Sequence, residues 1–273
     1  MTSETLLFNG ELLVQADFAL PLPNRGLAFG DGFFETLVFA DGRLRYAAAH
    51  LGRMHAAAAA LHLALPAALA TPVALAASLA SLAAANHLPA ARLRVQLWRA
   101  GSGRYAPLTN AAEWLATAEA FVPDDSPVTH ADFALLTNSL ASPLSFCKGP
   151  QAWLYVRAAH ERQQRHLAEI ILCDAAGHVA EASAAAIFWV KAGQLFTPAL
   201  ASGCVAGVRR ATILGAAQRA GIACHEGLFL RAELLAAEAI FTANVAALRP
   251  VRQLGPTTFA LPSPALLAAL SVP

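Results

Sequence analysis

The chain has 273 residues, 57% of them hydrophobic and 14% charged, with a formal net charge of +1. That length holds one large domain or two ordinary ones with a real core. The near-zero charge excludes a protein that works by neutralising nucleic-acid phosphates, and the sparse charge with high apolar content excludes a disordered chain. There are 66 alanines and 17 arginines but only two lysines, Lys148 and Lys191. The excess reads as drift in a GC-rich genome, under which a lysine that could be an arginine often is one. A surviving lysine therefore raises the question of whether its amine must lose a proton, which a guanidinium does not do.

Met1 to Gln15 carries two acids and lacks a basic segment ahead of an apolar core, so no secretory leader is expected. Within that stretch LLFNGELLV alternates like a hairpin around Asn9-Gly10, and ETLVFADGRLRY repeats the pattern around Asp41-Gly42. Between them NRGLAFGDGFFET (Asn24 to Thr36) concentrates three glycines and predicts sharp backbone bends. From Met54 to Ala91 there is no Asp, Glu, Lys or Arg, but Pro66 and Pro72 cut the run. Its longest proline-free pieces are shorter than the ~20 residues that span a bilayer, so two packed alanine-rich helices are expected and no membrane partner. RLRVQLW is a strand and AGSGRYAP a glycine loop. VPDDSPVTHAD (Val122 to Asp132) is the expected linker between an N-terminal α/β domain, 1–121, and a C-terminal one, 133–273. The second half predicts a helix from about Gln151 to His166 and strands EIILCD and AAIFWV joined through Ala176-Gly177. GVRRATILGAAQRAG predicts a helix closed by Gly221, RAELLAAEA another helix, and AIFTANV a short buried strand. The fold class expected is mixed α/β. Cys147, Cys173, Cys204 and Cys224 show neither CxxC nor metal-site spacing, so reduced thiols and a cytoplasmic location follow.

Several residues stand out chemically. Arg53, in HLGRMHAAA, opens the uncharged stretch, where a buried arginine needs an anion. Lys148 sits among Phe146, Cys147, Gly149 and Pro150 just ahead of a helix. It is either partly buried, which favours the neutral amine that attacks a carbonyl, or a surface loop residue. Lys191, in the turn VKAGQ, reads as solvated. Glu181 precedes a run of small residues and a strand. SGCVAGVRR sets Gly203 and Gly207 ahead of a helix start, where backbone N–H groups and the helix dipole favour a phosphate.

Together these pieces resemble the class IV aminotransferases, the branched-chain and D-amino-acid aminotransferase-like enzymes that use pyridoxal 5′-phosphate (PLP). The family signature D-R-G-x-x-Y/F-G-D-G-x-F/Y-E-T matches NRGLAFGDGFFET, H-L-x-R-L matches HLGRM, and K-x-x-N before a helix begins at Lys148. V-x-E-x-S-x-x-N matches VAEASAAA around Glu181, and GVRR and TANVAALRPV complete a likeness running from about residue 6 to 253. It implies a two-domain PLP fold of type IV. Lys148 would hold PLP as a Schiff base and move the substrate's α-proton. Glu181 would partner the pyridine nitrogen. Arg53 would grip the phosphate, helped by the N–H groups of Val208 and Arg209, with Asn244 or Val245 on the other side. Phe34, Thr36 and Arg104 would face substrate, Arg104 at its carboxylate. A homodimer and small amino-acid and 2-oxo-acid substrates are implied as partners, with no metal and no nucleic acid.

The departures are Asn24 for the signature's first Asp, Gln151 for the Asn of K-x-x-N, Ala186 for the Asn after the glutamate, and Ala152 for a tyrosine that contacts the cofactor's 3′-oxygen. Trp153 and Tyr155 are the aromatic candidates to take over that last contact. The expected reaction is transamination between an amino acid and a 2-oxo acid. The alternative is 4-amino-4-deoxychorismate lyase, which releases pyruvate and 4-aminobenzoate. The short chain, Thr36 and GCVAGVRR lean toward the lyase, whereas Glu35 leans away from it, since several lyases resemble F-T-T there.

Overall fold

The computed structural model describes residues 5–149 and 152–271, and the chain divides into two compact units. The first unit comprises Met1–Pro123 with Cys147–Pro150, and the second Asp124–Phe146 with Gln151–Pro273. Gln151 itself lies outside the described residues.

The first unit is built on a sheet of six strands in the order β2-β1-β6-β5-β3-β4. Strands β1 (Thr5–Phe8) and β2 (Glu11–Val14) form the expected hairpin, with Asn9 and Gly10 both at positive φ, as a two-residue primed turn requires. A short helix α1 (Arg25–Phe29) follows, capped by Asn24, whose side chain accepts from the Leu27 N–H at 2.8 Å. Asn caps as well as Asp does, which explains the tolerated departure from the signature. Next come β3 (Gly32–Ala40), β4 (Arg43–Leu44), α2 (Ala47–Ala60), α3 (Pro72–Ala85), β5 (Ala91–Arg99) and β6 (Ala112–Ala120). The alanine-rich helices are thus α2 and α3, with Pro66 in the connection and Pro72 opening α3 behind the Thr71 cap. Leu75, Leu79 and Leu82 of α3 are fully buried, and α3 packs on β1, β3 and β6. Strand β6 escapes sequence reading because its inward positions are Trp114, Ala116 and Ala118, and alanine gives little hydrophobic contrast.

The second unit is layered. Its strands and helices run β7 (Ala131–Phe133), α4 (Ala152–Gln164), β8 (Glu169–Cys173), β9 (Val179–Ala182), β10 (Ala186–Lys191), β11 (Gln194–Pro198), α5 (Val208–Arg219), β12 (Cys224–Gly227), α6 (Arg231–Leu235), β13 (Ala239–Ala243), β14 (Leu248–Val251), β15 (Gln253–Leu254), β16 (Thr257–Thr258) and α7 (Pro264–Leu270). One sheet is ordered β12-β11-β10-β13-β14 and the other β16-β15-β7-β8-β9. Phe133, Ile171, Val179, Trp189 and Ile240 fill the space between them. Phe188 and Phe241 stack on the opposite face of the first sheet, against Ile213 of α5 and Leu270 of α7. Ile170 and Leu172 turn the second sheet toward Ala158 of α4. The turn at Ala176-Gly177 joins β8 to β9 rather than to β10. The strand between them carries Glu181. Among the described residues no helix is long and apolar enough to cross a membrane.

Candidate functional site

In the first unit, strand periodicity sends alternate residues of β3 to opposite faces. Glu35 points to the helical face and is 1% exposed. There Arg53 of α2 clasps it bidentately, Nε to Oε1 at 2.7 Å and Nη2 to Oε2 at 2.6 Å. His50, one turn earlier on α2, shares Oε2 through Nδ1 at 2.8 Å. Burial pushes the Glu35 carboxyl up, but the Arg53 charge and the hydrogen bonds from His50 and Arg53 outweigh it and leave it at about 2. His50 is pushed down, first by burial and further by the Arg53 and Lys148 charges. The anion that a buried Arg53 needs is therefore supplied by the chain itself.

Lys148 reaches this neighbourhood along the open edge of β3, where the Phe34 N–H donates to the Lys148 carbonyl at 3.0 Å. The approach is close: a Cβ on Gly149 would stand 2.9 Å from the Phe33 Cα, and Gly149 has φ +132°. Only glycine fits there. Lys148 is half-buried, and the flanking Cys147 is buried with its thiol pushed up by that burial. Lys191, by contrast, is exposed at the end of β10.

The opposite face of the same sheet carries Phe34 and Thr36. A cavity of about 400 Å³ there is lined by Thr36, Arg92, Arg94, Thr117 and Glu119, among others. Arg92 pairs with Glu119 at 3.1 Å, while the Arg94 guanidinium lies over the Phe34 ring at 3.9 Å. Sequence reading passed over Arg94: the alternation in RLRVQLW sets it on the same face as Arg92, and the fold places it opposite Thr36. The side chain of Arg104 is exposed, and its carbonyl accepts from Arg25 Nη1 at 2.6 Å. Arg25 also holds Asp31 at 2.7 Å, and Arg99 holds the same carboxylate at 3.0 Å. The charged pair of the glycine-rich signature thus fastens two loops together.

In the second unit Glu181 is 5% exposed and faces α4 beside Leu172. Its Oε1 accepts from the Tyr155 hydroxyl at 2.7 Å and from the Val205 N–H at 3.2 Å. Tyr155 is therefore committed to the glutamate, and Trp153 is 54% exposed. Gly207 caps α5 without a side-chain hydrogen bond, and Val208 and Arg209 of its first turn are both buried. Asn244 turns its side chain onto its own surroundings: Nδ2 donates to the Ala184 carbonyl at 3.1 Å, and Oδ1 accepts from Ala246 and Ala247 at 2.9 and 3.0 Å. It holds the turn after Glu181, with Val245 half-buried beside it. The expected residues fall into two sets, Lys148, Arg53, Phe34, Thr36 and Arg104 in one unit and Glu181, Val208, Arg209, Asn244 and Val245 in the other. Among the described residues no group of three or more His, Cys, Asp or Glu is placed to hold a metal.

Residues 32–254 match the family model for amino-transferase class IV. A branched-chain-amino-acid aminotransferase of Pseudomonas aeruginosa is 37% identical over 86 residues, which cover 31% of this chain and 28% of that protein. The Escherichia coli K12 protein of the same description is 33% identical over 93 residues, 34% of this chain and 30% of that one. The matched stretches thus span less than a third of these relatives' own length. Over nearly the whole chain the fold is shared with solved structures. The branched-chain aminotransferase of E. coli superposes with a TM-score of 0.86 at 20% identity, covering 98% of this chain and 92% of that one. A putative 4-amino-4-deoxychorismate lyase from Legionella pneumophila gives 0.83 at 18% identity and 94% of each chain. The branched-chain aminotransferase of Thermobaculum terrenum, solved in its PLP form, gives 0.83 at 17% identity, covering 98% of this chain and 92% of that one.

Proposed function

Because the chain belongs to the class IV aminotransferase family, we propose that it binds PLP and moves an amino group between an amino acid and a 2-oxo acid. The observation that carries this reading is Lys148. It is one of two lysines in 273 residues and is half-buried on the edge of β3 beside the Arg53–Glu35–His50 cluster. Each unit carries groups of the kind the cofactor takes: in the first an ionised arginine fixed by a buried carboxylate, in the second a helix start lacking a side-chain cap and a buried carboxylate that accepts from Tyr155 and Val205. PLP, when bound, supplies the electron sink that labilises the bonds at the substrate's α-carbon. The chain supplies the rest. Lys148 takes and returns the α-proton at its Nζ. Glu181 holds a proton at the ring nitrogen. Arg53 and the N–H groups of Val208 and Arg209 bind the phosphate, and Asn244 keeps the turn beside Glu181 in shape. Thr36 and Arg94 receive a substrate carboxylate in the cavity they line, beside Phe34 under the Arg94 guanidinium, with Arg104 at its loop. The protein acts in the cytoplasm as a homodimer.

A second reading, 4-amino-4-deoxychorismate lyase, is favoured by Thr36, whose hydroxyl side chain lines the same cavity as Arg94. The separating experiment incubates the PLP-loaded protein with a panel of amino acids and, separately, with aminodeoxychorismate. Conversion of the cofactor band to its pyridoxamine form by an amino acid supports transamination, and pyruvate release without any 2-oxo acid supports the lyase. A protein that takes up no PLP overturns both. In either case Arg94→Gln is expected to raise KM for the carboxylate substrate about tenfold or more with a smaller change in kcat, since a charge-assisted contact of this kind contributes ~1.5–3 kcal/mol. Steady-state kinetics checks it, and an unchanged KM would remove Arg94 from the substrate pocket.

A further inference from the structure

We propose that Tyr155 is a positioning residue for Glu181, its hydroxyl fixing the carboxylate that partners the cofactor ring. This rests on the PLP reading above. The sequence suggested a different use for an aromatic group here, contact with the cofactor's 3′-oxygen, but the hydroxyl is spent 2.7 Å from Glu181 Oε1. The geometry explains why α4 carries a tyrosine. Glu181 sits on β9 opposite Leu172, on the face that packs against α4, where water is excluded. An ionised carboxylate in such a place is neutralised unless donors hold it. Two donors converge on one oxygen, the Tyr155 hydroxyl from α4 and the Val205 N–H from the loop before α5. A carboxylate anchored through Oε1 has its rotation about the terminal torsion fixed, so its charge is aimed rather than averaged.

The donor itself is dependable. Burial, the Glu181 charge and the hydrogen bond to it push the Tyr155 phenol far above its ordinary range, so it keeps its proton at every working pH. A second titratable group facing Glu181 is Cys204, pushed up to about 11 by burial and by the Glu181 charge, with Arg210 pulling the other way. It too stays neutral in that range.

Tyr155→Phe removes that hydroxyl alone. Three measurements on purified protein test the idea: PLP affinity from titration of the apo-protein, the pH dependence of the bound cofactor's absorbance, and kcat with KM. With the donor gone, the Glu181 carboxyl is expected to rise by about one pH unit, the tenfold effect typical of a hydrogen bond to a charged group. The acid limb of the absorbance titration then moves up by about that amount, and kcat falls while KM changes little. A wild-type protein that binds no PLP overturns the cofactor reading. A wild-type protein that binds it, with a Tyr155→Phe variant identical in affinity, acid limb and kcat, overturns the positioning role alone. Should Tyr155→Phe fail to fold, protein made with 3-fluorotyrosine, whose phenol is a stronger donor, serves instead. Its acid limb must move down, and an unmoved limb is again fatal to the proposal.

Discussion

Lys148→Arg is expected to abolish turnover, by on the order of 10³-fold or more, while leaving the protein folded. The fold is expected to survive because the Lys148 main-chain carbonyl accepts from the Phe34 N–H whatever the side chain. The close approach of Gly149 to β3 is likewise untouched. Turnover fails because a guanidinium remains protonated in proteins and cannot form an imine with a carbonyl carbon. Lys191→Arg is the matched control. It sits exposed at the end of β10 and is expected to leave activity within the error of the assay. Borohydride reduction of the PLP-loaded wild type, followed by peptide mass spectrometry, should place the cofactor's mass on Lys148. Mass recovered on Lys191, or a Lys148→Arg variant with near-normal turnover, would sink the assignment.

What could be read from the sequence differs between the backbone and the chemistry. The hairpin turns at Asn9-Gly10 and Asp41-Gly42 were legible because left-handed backbone needs those residue types. The helix α5 was legible because glycine punctuates both of its ends. Strand β6 was not, since Ala116 and Ala118 fill a tight space that larger residues usually fill, and β9 was hidden in a run of small residues. The same limit applies to the chemistry. Lys148 and Glu181 could be singled out as ionisable groups in apolar or small-residue surroundings. The partners that give such groups their properties lie far away in sequence: Tyr155 is 26 positions from Glu181, and Glu35 is 18 from Arg53. Periodicity places a side chain on a face but does not say which side chain it meets there. Glu35 was read only as one letter of a signature, and Arg53 only as a cation in search of an anion. Their union required the crossing of α2 over β3.

That union makes Glu35→Gln the substitution with the largest expected cost to stability. The amide keeps the shape but removes the charge and turns one acceptor into a donor aimed at the Arg53 guanidinium. Arg53 is 7% exposed and His50 0%, so neither can turn to water for relief. Among the described residues the His50 Nε2 already has no hydrogen-bond partner. Leaving a buried charge unpaired typically costs ~3–5 kcal/mol. The pH dependence identifies the cause. The Glu35 carboxyl lies at about 2 in the folded chain against an ordinary value of 4.5. A lowered carboxylate pKa means that its stabilisation is fully present above pH 4.5 and is lost as pH falls from there through about 2. By linkage this stabilisation is roughly 3 kcal/mol for the wild type. Glu35→Gln has no such proton to take up, so the gap between the two proteins in urea unfolding should be widest at neutral pH and should narrow below pH 4.5. If the cluster also holds Arg53 ready for the phosphate, the PLP affinity of the folded variant falls at least tenfold at pH 7, as apo-protein titration would show. A variant within ~0.5 kcal/mol of wild type at neutral pH, or one whose gap persists unchanged into acid, would mean that the pair is an ornament of the core rather than the support of Arg53.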